Sequence, residues 1–304
     1  MLTQISGLHH VTTIGSDPRA IDEFWTGTLG LRRVKKTVNF DAPDVYHLYY
    51  GDDLGRPGTA MTYFPFPGAA PGRRGTGEVA EVRLAIPQGA APFWADRLGT
   101  GVSADPFGAP AVAVSAPDGD AFLLVESDDP RPAATAAVAP DRAIRGFHSV
   151  AAVLRDTAGT ADLLRLMGYR ETARDGAATR FAIDGGRAGA VDLIARPDAP
   201  AARQGAGSVH HIAFSVDTRA RQLDVRTALT DQGFDVTPVI DRDYFWAIYF
   251  RSPGGILFEI ATDEPGFDRD EPPETLGTAL KLPARHEHLR DRLEKQLVPL
   301  DAGR

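Results

Sequence analysis

The sequence predicts an α+β fold of four β-α-β-β-β modules, arranged as two halves that each contain a half-barrel of strands. The main observation is a repeated strand: Gly7–Thr12 (GLHHVT) returns as Ser208–Ala213 (SVHHIA) and, more weakly, as Gly146–Ala151 (GFHSVA). Each copy is followed by a turn and by apolar residues at helical spacing, which end at a glycine. The intervals are 20, 20 and 22 residues for His10 to Gly30, His148 to Gly168 and His211 to Gly233. Spacing this constant indicates an internal repeat.

The first and last modules have the clearest strands after the glycine. In the first module these are Val45–Tyr50 and Ala60–Phe64, and in the last module they are Ala247–Phe250 and Ile256–Ile260. All four runs are rich in apolar and aromatic residues, which is typical of buried strands. Each of these modules is therefore predicted to be a strand, a helix and then several strands.

The two middle modules are less regular. The second begins at Glu78–Leu84, has a short helix from Phe93 to Leu98 and ends in Pro117–Val125. Within that last run, Leu123 occupies the place that Glu259 has in the final module. The third module has the single histidine His148 where the first and last modules have the pairs His9-His10 and His210-His211. The middle modules thus lack residues that could bind a metal in the first and last modules, and we expect them to be metal-free.

The predicted domain division follows the order of the modules. Residues 1–128 form an N-terminal half of two modules, 129–142 a linker, 143–268 a C-terminal half of two modules, and 269–304 a C-terminal tail with a short helix. The linker is rich in proline and alanine and shows no periodicity. The tail is charged near its helix, so His286 and His288 are predicted to be solvent-exposed.

Composition and charge are those of a globular protein without a nucleic-acid partner. Hydrophobic residues make up 43% of the chain and charged residues 24%, which is ordinary for a packed domain. The net charge of -8 and the dispersed Lys and Arg residues give no basic stripe that could neutralise phosphates. There is no signal-type segment and no apolar run of about 20 residues that could span a bilayer, so we expect a cytoplasmic protein without a membrane partner. The sequence leaves open whether the chain forms a homo-oligomer.

Two histidines and a glutamate of the first and last modules indicate a metal site. The chain has no cysteine, so a metal must be held by His, Asp, Glu or water. Successive side chains of a strand point to opposite faces, so only one histidine of each adjacent pair is expected to face a given cavity. If equivalent strands line a common half-barrel, His10 and His211 meet across it and Glu259 joins them. Two imidazoles and one carboxylate leave open metal positions, an arrangement suited to Fe(II) and O2.

A purely structural role for these residues is the alternative. A single strand histidine is more often a hydrogen-bonded core residue than a ligand, and a glutamate at a strand end is usually solvated. Glu259, however, lies inside the apolar run Ile256–Ile260, where burial of a carboxylate without a cation is costly. Because His10 and His211 are also equivalent in the repeat, metal binding is predicted for all three residues, and a structural role is predicted for His9.

The chain resembles the vicinal-oxygen-chelate superfamily, which is built from paired β-α-β-β-β modules, and within it the hydroquinone and catechol ring-cleaving dioxygenases. The stretches that carry the resemblance are Gly7–Thr12, Thr37–Asp41, Tyr46–Asp52 and Asp241–Asp263, within a resemblance that extends as far as Phe267. It implies the vicinal-oxygen-chelate fold and Fe(II), alternatively Mn(II), as cofactor. It also implies that a small aromatic substrate and O2 are the reactants.

The resemblance further implies which residues surround the metal. A tyrosine and an arginine of the family correspond to Tyr249 and Arg242, which would face the substrate. A histidine just outside the metal shell corresponds to His210, as an acid or base. Thr12 is a candidate by position, because it lies two residues beyond His10 and shares its face of the strand.

Two features limit what can be carried over from the family. The bulky Trp246 could narrow the pocket, so substrate size is not inherited. His47 and its neighbours Tyr46, Tyr49 and Tyr50 are predicted to pack a strand rather than to bind a ligand.

The predicted function is a metal-dependent dioxygenase of aromatic catabolism that inserts O2 into a ring of hydroquinone or catechol type. A glyoxalase-like lyase or isomerase is one alternative, but it usually has a fourth protein ligand, which Ala60–Phe64 does not offer. A non-catalytic, ligand-sequestering resistance protein is the other. It would need no metal and would leave the two histidines and the glutamate without an evident purpose.

Overall fold

The computed structural model describes residues 1–183 and 189–300 of the chain. Within them the chain forms four consecutive modules, each with a long first strand, one α-helix and three further strands. Module 1 contains β1 Ile5–Gly15, α1 Pro18–Glu23, β2 Arg32–Asn39, β3 Ala42–Gly51 and β4 Ala60–Pro65. Module 2 contains β5 Glu78–Ile86, α2 Ala91–Leu98, β6 Val102–Ala104, β7 Pro110–Ser115 and β8 Ala121–Glu126. Module 3 contains β9 Gly146–Leu154, α3 Ala158–Leu166, β10 Arg170–Asp175, β11 Ala178–Ala182 and β12 Ala190–Ala195. Module 4 contains β13 Ser208–Val216, α4 Arg219–Asp231, β14 Ile240–Asp241, β15 Phe245–Arg251 and β16 Leu257–Pro265.

The strands form two eight-stranded sheets, each made of two modules. The first sheet has the order β14-β15-β16-β13-β1-β4-β3-β2, and the second has the order β10-β11-β12-β9-β5-β8-β7-β6. Module 1 therefore pairs with module 4, and module 2 with module 3. This confirms the predicted α+β fold of four modules and two half-barrels. Each of the predicted halves, residues 1–128 and 143–268, contributes one module to each sheet, so the sheets cut across the division made along the chain.

The antiparallel pairing of β1 with β13 places the two His-His pairs at the centre of the first sheet. The register of this pairing shifts at each His-His pair. In β1, Leu8 pairs with Phe214 and His10 pairs with the adjacent Ala213, so one residue of β1 is left over. In β13, Thr12 pairs with His211 and Thr13 pairs with Val209, so one residue of β13 is left over. Each irregularity adds a residue to one strand, which is how a β-bulge interrupts the regular alternation of side chains. His9 and His210 are the residues at these two positions.

Helices α2 and α4 pack against strands of their own modules. Helix α1 begins at the capping residue Asp17, whose carboxylate accepts hydrogen bonds from the backbone N–H groups of Arg19 and Ala20. Helix α4 packs against β13, β15 and β16. Its buried Gln222 donates to the carbonyl oxygens of Trp246 and Ile260. The opposite face of the first sheet is left to form a cavity. No helix in the described part of the chain has the length and apolar character to cross a membrane.

The linker and the tail both pack against the modules. Ala134 and Val138 of the predicted linker are buried, although the sequence of this segment shows no apolar period. The tail contains short helical turns and ends in α5 Arg290–Gln296, while its last four residues, 301–304, lie outside the described residues. Its Asp270 and Glu271 form ion pairs of 2.6 and 2.5 Å with the buried Lys35 of β2. The tail is thus fixed to the outer edge of module 1.

Candidate metal centre

The first sheet brings His10, His211 and Glu259 together on one face. Oε2 of Glu259 lies 2.9 Å from Nε2 of His211 and 3.3 Å from Nε2 of His10. The two Nε2 atoms are 3.3 Å apart. All three side chains are buried, and within the described ranges they form the group of His, Asp and Glu side chains that could hold a metal ion. The structure therefore assembles the three predicted ligands from opposite ends of the chain.

The strand pairing explains why these residues meet. β1 and β13 are antiparallel neighbours, so His10 and His211 lie near each other across the pair. β16 runs parallel to β13 on its other side, and Glu259 pairs with Ala213, two residues beyond His211. Residues two apart on a strand share a face. The carboxylate consequently projects to the same side as the two imidazoles.

The charge of Glu259 is not compensated by hydrogen bonds. Neither of its carboxylate oxygens has a hydrogen-bond partner in the part of the chain that the structure describes. Burial by itself would raise the pKa of this carboxyl group, but His10 and His211 hold the pKa well below its usual range, so the group is ionised. The ionised carboxylate thus faces only the two imidazoles in a buried site, which leaves its oxygens available to a cation.

The spacing of the three donor atoms fits a divalent cation. Two ligands that lie about 2.1 Å from one cation and at right angles to each other are about 3 Å apart. The observed separations of 2.9, 3.3 and 3.3 Å agree with this value. Burial lowers the pKa of His211, against the opposing effect of Glu259, so its imidazole is in the neutral form that binds metals. Two imidazoles and a carboxylate thus fit the metal that the sequence predicts.

Each metal-site histidine is held from behind by its neighbour. Nδ1 of His10 lies 2.9 Å from Nδ1 of His9, and Nδ1 of His211 lies 2.7 Å from Nδ1 of His210. A second hydrogen bond of this kind fixes the orientation of a ligand imidazole and leaves its Nε2 for the metal. Burial lowers the pKa of His9 to about 3 and that of His210 to about 4. Both rings are therefore neutral at pH 7.

The centre lies in the wall of a cavity of about 310 Å³, a volume that suits a small ligand. The lining is largely aromatic, with charged groups on one side. It consists of His10, Asn39, Phe40, Asp41, His47, Tyr49, Phe64, Phe66, His210, His211, Arg242, Phe245, Tyr249 and Leu257. His210 and His211 both line it, so the expectation that one histidine of each pair must face elsewhere is wrong for this pair. The β-bulge at His210 is the reason, because it interrupts the alternation on which that expectation rested.

Arg242 and Tyr249 lie side by side in the cavity wall. Nε of Arg242 donates to the Tyr249 hydroxyl over 3.2 Å, and its Nη1 forms a 3.0 Å ion pair with Asp41. Burial raises the pKa of Tyr249 well above 10, so the phenol keeps its proton. Tyr249 also pairs with Glu259 across β15 and β16. A hydrogen-bond donor and a fixed positive charge are thus placed next to the three-residue centre.

Thr12 does not belong to the cavity lining. Its Oγ1 lies 2.7 Å from Oγ1 of Thr62, on the neighbouring strand β4. The alternation of β1 does place Thr12 on the same face as His10, but there its hydroxyl is engaged by Thr62, its register partner on β4. The structure therefore places the Thr12 hydroxyl against Thr62 rather than in a position to contact substrate.

Strand register identifies the module 1 counterpart of the metal-site glutamate. In module 4, Ala213 is two residues beyond the metal-site histidine and pairs with Glu259. In module 1, Thr12 is two residues beyond the metal-site histidine and pairs with Thr62. Thr62 thus has the position in module 1 that Glu259 has in module 4. Within residues 1–183 and 189–300, no further carboxylate or imidazole joins His10, His211 and Glu259 as a fourth ligand.

Four side chains lie where the sequence did not predict them. His47 and Tyr49 line the cavity, although their apolar strand indicated packing alone. His286 of the tail binds the carbonyl oxygen of Phe40 at 3.0 Å, so it is not simply solvated. Trp246 is absent from the lining and lies under the guanidinium group of Arg219. Alternation along β15 explains this, because Phe245 and Ala247 take the inner face.

A β-sheet of paired modules with two histidines and one glutamate grouped at an aromatic cavity is the architecture of a protein of the vicinal-oxygen-chelate type. The chain belongs to the Glyoxalase/Bleomycin resistance protein/Dioxygenase superfamily, whose family model matches residues 7–260. This confirms the resemblance seen in the sequence.

Individual relatives cover nearly the whole chain. MhqO of Bacillus subtilis (strain 168), described as a candidate ring-cleaving dioxygenase, is 40% identical over 99% of this chain and 98% of its own length. The chlorohydroquinone/hydroquinone 1,2-dioxygenase of Sphingobium indicum is 36% identical over 95% of each chain. The crystal structure of a candidate dioxygenase from Bacillus subtilis subsp. subtilis str. 168 matches with a TM-score of 0.94, 40% identity and 99% coverage of both chains.

Proposed function

We propose that the protein is a metal-dependent ring-cleaving dioxygenase that inserts both atoms of O2 into a dihydroxylated aromatic ring of hydroquinone or catechol type. The observation that carries the proposal is the buried group His10, His211 and Glu259, whose carboxylate has no hydrogen-bond partner among the described residues and which lies in the wall of an aromatic cavity. The relatives of similar length that are described as ring-cleaving dioxygenases support the same reaction class.

The proposed cofactor is Fe(II), with Mn(II) as the alternative. His10, His211 and Glu259 would hold it, since two imidazoles and one carboxylate are the ligand set of non-haem oxygenases. When bound, such a metal supplies the one-electron chemistry that O2 requires and that no protein side chain provides.

Tyr249 and Arg242 are proposed to bind and orient the substrate. The protonated Tyr249 phenol donates a hydrogen bond to an oxygen of the aromatic ring that lies next to the centre. The guanidinium group of Arg242 stabilises negative charge that develops on substrate oxygens, and its ion pair with Asp41 keeps it in place. A fixed charge in a largely apolar cavity acts more strongly than it would in water.

His210 is proposed to be the acid or base. Its pKa is lowered to about 4 by burial and by His211, so at neutral pH the ring is neutral and carries one proton. A His211 that binds the metal through Nε2 has its own proton on Nδ1 and donates it to Nδ1 of His210, so the proton of His210 is on Nε2. In the role of acid or base, Nε2 of His210 is therefore the donor toward a substrate oxygen.

The glyoxalase-like alternative is disfavoured by Thr62. In this scaffold a fourth protein ligand would come from the last strand of module 1, and the register puts a threonine at that place. A threonine hydroxyl that already contacts Thr12 and His47 is a poor substitute for a carboxylate. The ligand-sequestering alternative does not explain why a buried carboxylate lies between two histidines without hydrogen bonds.

Anaerobic reconstitution tests the proposal. Metal-free protein is loaded with Fe(II), or in a parallel sample with Mn(II), mixed with hydroquinone or catechol under argon and then exposed to ¹⁸O2. We expect O2 uptake, with both labelled atoms in a ring-opened product. Glu259→Gln should abolish uptake, whereas His148→Asn, which changes a histidine of the second sheet, should leave it intact.

Two outcomes would contradict the proposal. Wild-type protein that binds the metal but consumes no O2 with either class of aromatic is not a ring-cleaving dioxygenase. Stoichiometric binding of an aromatic ligand by protein that retains no metal would instead favour the sequestering role.

A further inference from the structure

A continuous hydrogen-bonded chain of side chains runs from strand β1 to the cavity. Thr12 Oγ1 lies 2.7 Å from Thr62 Oγ1, which lies 2.9 Å from Nε2 of His47, and Nδ1 of His47 lies 2.8 Å from the Tyr49 hydroxyl. His47 and Tyr49 both belong to β3 and share its inner face. The arrangement uses both nitrogens of the imidazole, which is unusual for a residue that only packs a strand.

The protonation states make this chain directional. Burial lowers the pKa of His47 well below 6.5 and raises the pKa of Tyr49 well above 10, so the imidazole is neutral and the phenol is protonated. A neutral imidazole donates through one nitrogen and accepts through the other. The two bonds of His47 are therefore coupled: Nδ1 accepts from Tyr49 when Nε2 donates to Thr62, and Nδ1 donates to Tyr49 when Nε2 accepts.

The Tyr49 hydroxyl keeps hydrogen-bonding capacity for a ligand. A phenol has one donor and two acceptor sites, and among the described residues its hydrogen bond is the one with His47. The ring is held between His47, at 4.0 Å, and Phe267, at 4.9 Å. Tyr49 nevertheless lines the cavity. A rigidly held phenol that has a free hydrogen-bonding site at a cavity wall is suited to ligand binding.

Internal symmetry points to the same role. Tyr49 pairs with Thr62 across β3 and β4, as Tyr249 pairs with Glu259 across β15 and β16. The two tyrosines are thus equivalent residues of modules 1 and 4, and they line one cavity from the two sides of the centre. Tyr249 is held by Arg242, and Tyr49 is held by His47.

We infer that the Tyr49 hydroxyl contacts a hydroxyl group of the aromatic substrate and that His47 is a positioning residue that holds the Tyr49 hydroxyl in place. The inference rests on the proposed function for the identity of the substrate. A dihydroxylated ring presents two oxygens, and two equivalent phenols on opposite sides of the cavity provide one contact for each.

Four variants test the inference by anaerobic binding of hydroquinone and of catechol to Fe(II)-loaded protein, measured by calorimetry under argon. Tyr49→Phe should weaken binding of the better ligand about 5- to 10-fold, the effect of one hydrogen bond. The amide of Gln reaches the position of Nε2 and that of Asn the position of Nδ1. His47→Gln should therefore weaken binding by a similar factor, whereas His47→Asn should restore most of it. In the double variant His47→Gln/Tyr49→Phe the effect should not exceed that of Tyr49→Phe by more than about 2-fold.

The control is Tyr169→Phe, which removes a buried tyrosine hydroxyl that has no hydrogen-bond partner within the described ranges and does not line the cavity. It should bind the aromatic as the wild type does. In steady state, Tyr49→Phe should raise KM with little change in kcat, because its contact persists from the bound substrate to the transition state.

The outcomes separate this inference from the proposed function. Wild-type protein that binds hydroquinone or catechol but takes up no O2 refutes the dioxygenase and leaves the binding series to decide on Tyr49. Unchanged affinity in Tyr49→Phe overturns the inference. Equal losses in His47→Gln and His47→Asn, or additive losses in the double variant, show that His47 acts through packing and not through Tyr49. Failure of the wild type to bind either aromatic overturns both proposals.

Discussion

Glu259 in the first sheet and Asp192 in the second sheet occupy equivalent positions. Asp192 pairs with Ala151, as Glu259 pairs with Ala213, and both side chains are fully buried. Around Asp192 the protein provides Arg83 and Arg180, the latter with two bonds of 2.8 Å. Around Glu259 it provides two imidazoles and no hydrogen bond within the described chain.

The comparison shows two ways to neutralise a carboxylate in one architecture. In the second sheet the counter-charge comes from the side chains of Arg83 and Arg180. Asp192 is therefore always paired, and the ion pairs are part of the buried core. In the first sheet the chain provides two imidazoles instead, and on the proposed function the counter-charge is a bound metal ion. The second sheet has Asp192 at the position of Glu259 and Ser149 at the position of the candidate metal-site histidine.

The largest expected effect comes from removing each carboxylate in turn. Asp192→Asn leaves two buried or half-buried guanidinium groups without their main partner, and we expect it to lower the free energy of unfolding by about 3–5 kcal/mol. Glu259→Gln in metal-free protein removes a charge that faces two imidazoles rather than two guanidinium groups, so the free energy of unfolding should fall by less than in Asp192→Asn. Urea unfolding in the presence of a chelator measures both. A loss for Glu259→Gln as large as that for Asp192→Asn would show that Glu259 is a structural residue.

Metal addition should separate the two sheets next. Fe(II) added under argon at about 100 times its Kd should stabilise the folded wild type by about 2.7 kcal/mol, since a ligand that binds only the folded state adds RT ln(1 + [L]/Kd). Asp192→Asn should keep this increment, and Glu259→Gln should lose it. Calorimetric melting with and without metal provides the measurement. An equal increment in Glu259→Gln would place the metal elsewhere.

The local sequence pattern was sufficient to predict the modules and to select the three residues of the candidate centre. The His-His strands repeat at constant distance from a glycine, and Glu259 interrupts an apolar run, so both signals lie within short stretches of the chain. The fold follows because a β-α-β-β-β unit cannot bury its inner face alone and must pair with another. Equivalence of His10 and His211 then implies that modules 1 and 4 pair.

Other parts of the site depend on contacts that no local pattern encodes. His47 and Tyr49 lie in a run whose alternation is the same whether its inner face meets a core or a cavity. The contact between Thr12 and Thr62 depends on strand register, and the bulges at His9 and His210 depend on the pairing of β1 with β13. The hydrogen bond of His286 to Phe40 joins residues 246 positions apart. Such distant partners have no signature in the sequence of either segment.

The smallest expected effect is a pH dependence that comes from the second sheet. Burial, with the nearby charge of Arg180, lowers the pKa of His148 from 6.5 to about 4, so the unfolded chain binds its proton more readily than the folded one. The resulting stability is fully present above about pH 6.5 and is lost progressively as the pH falls toward 4. Between pH 7 and pH 5.5 this histidine should account for a loss of about 1 kcal/mol.

His148→Asn isolates that contribution. Urea unfolding of metal-free wild type and variant at both pH values should show a smaller decrease for the variant, because asparagine does not titrate. His9 and His210, whose pKa values are also lowered, remain in both proteins and cancel in the difference. Equal decreases in the two proteins would mean that His148 is protonated as easily in the folded chain as in the unfolded one. In that case the arginine-carboxylate cluster of the second sheet would accept a further positive charge, and the sharp contrast with the metal-binding sheet would no longer hold.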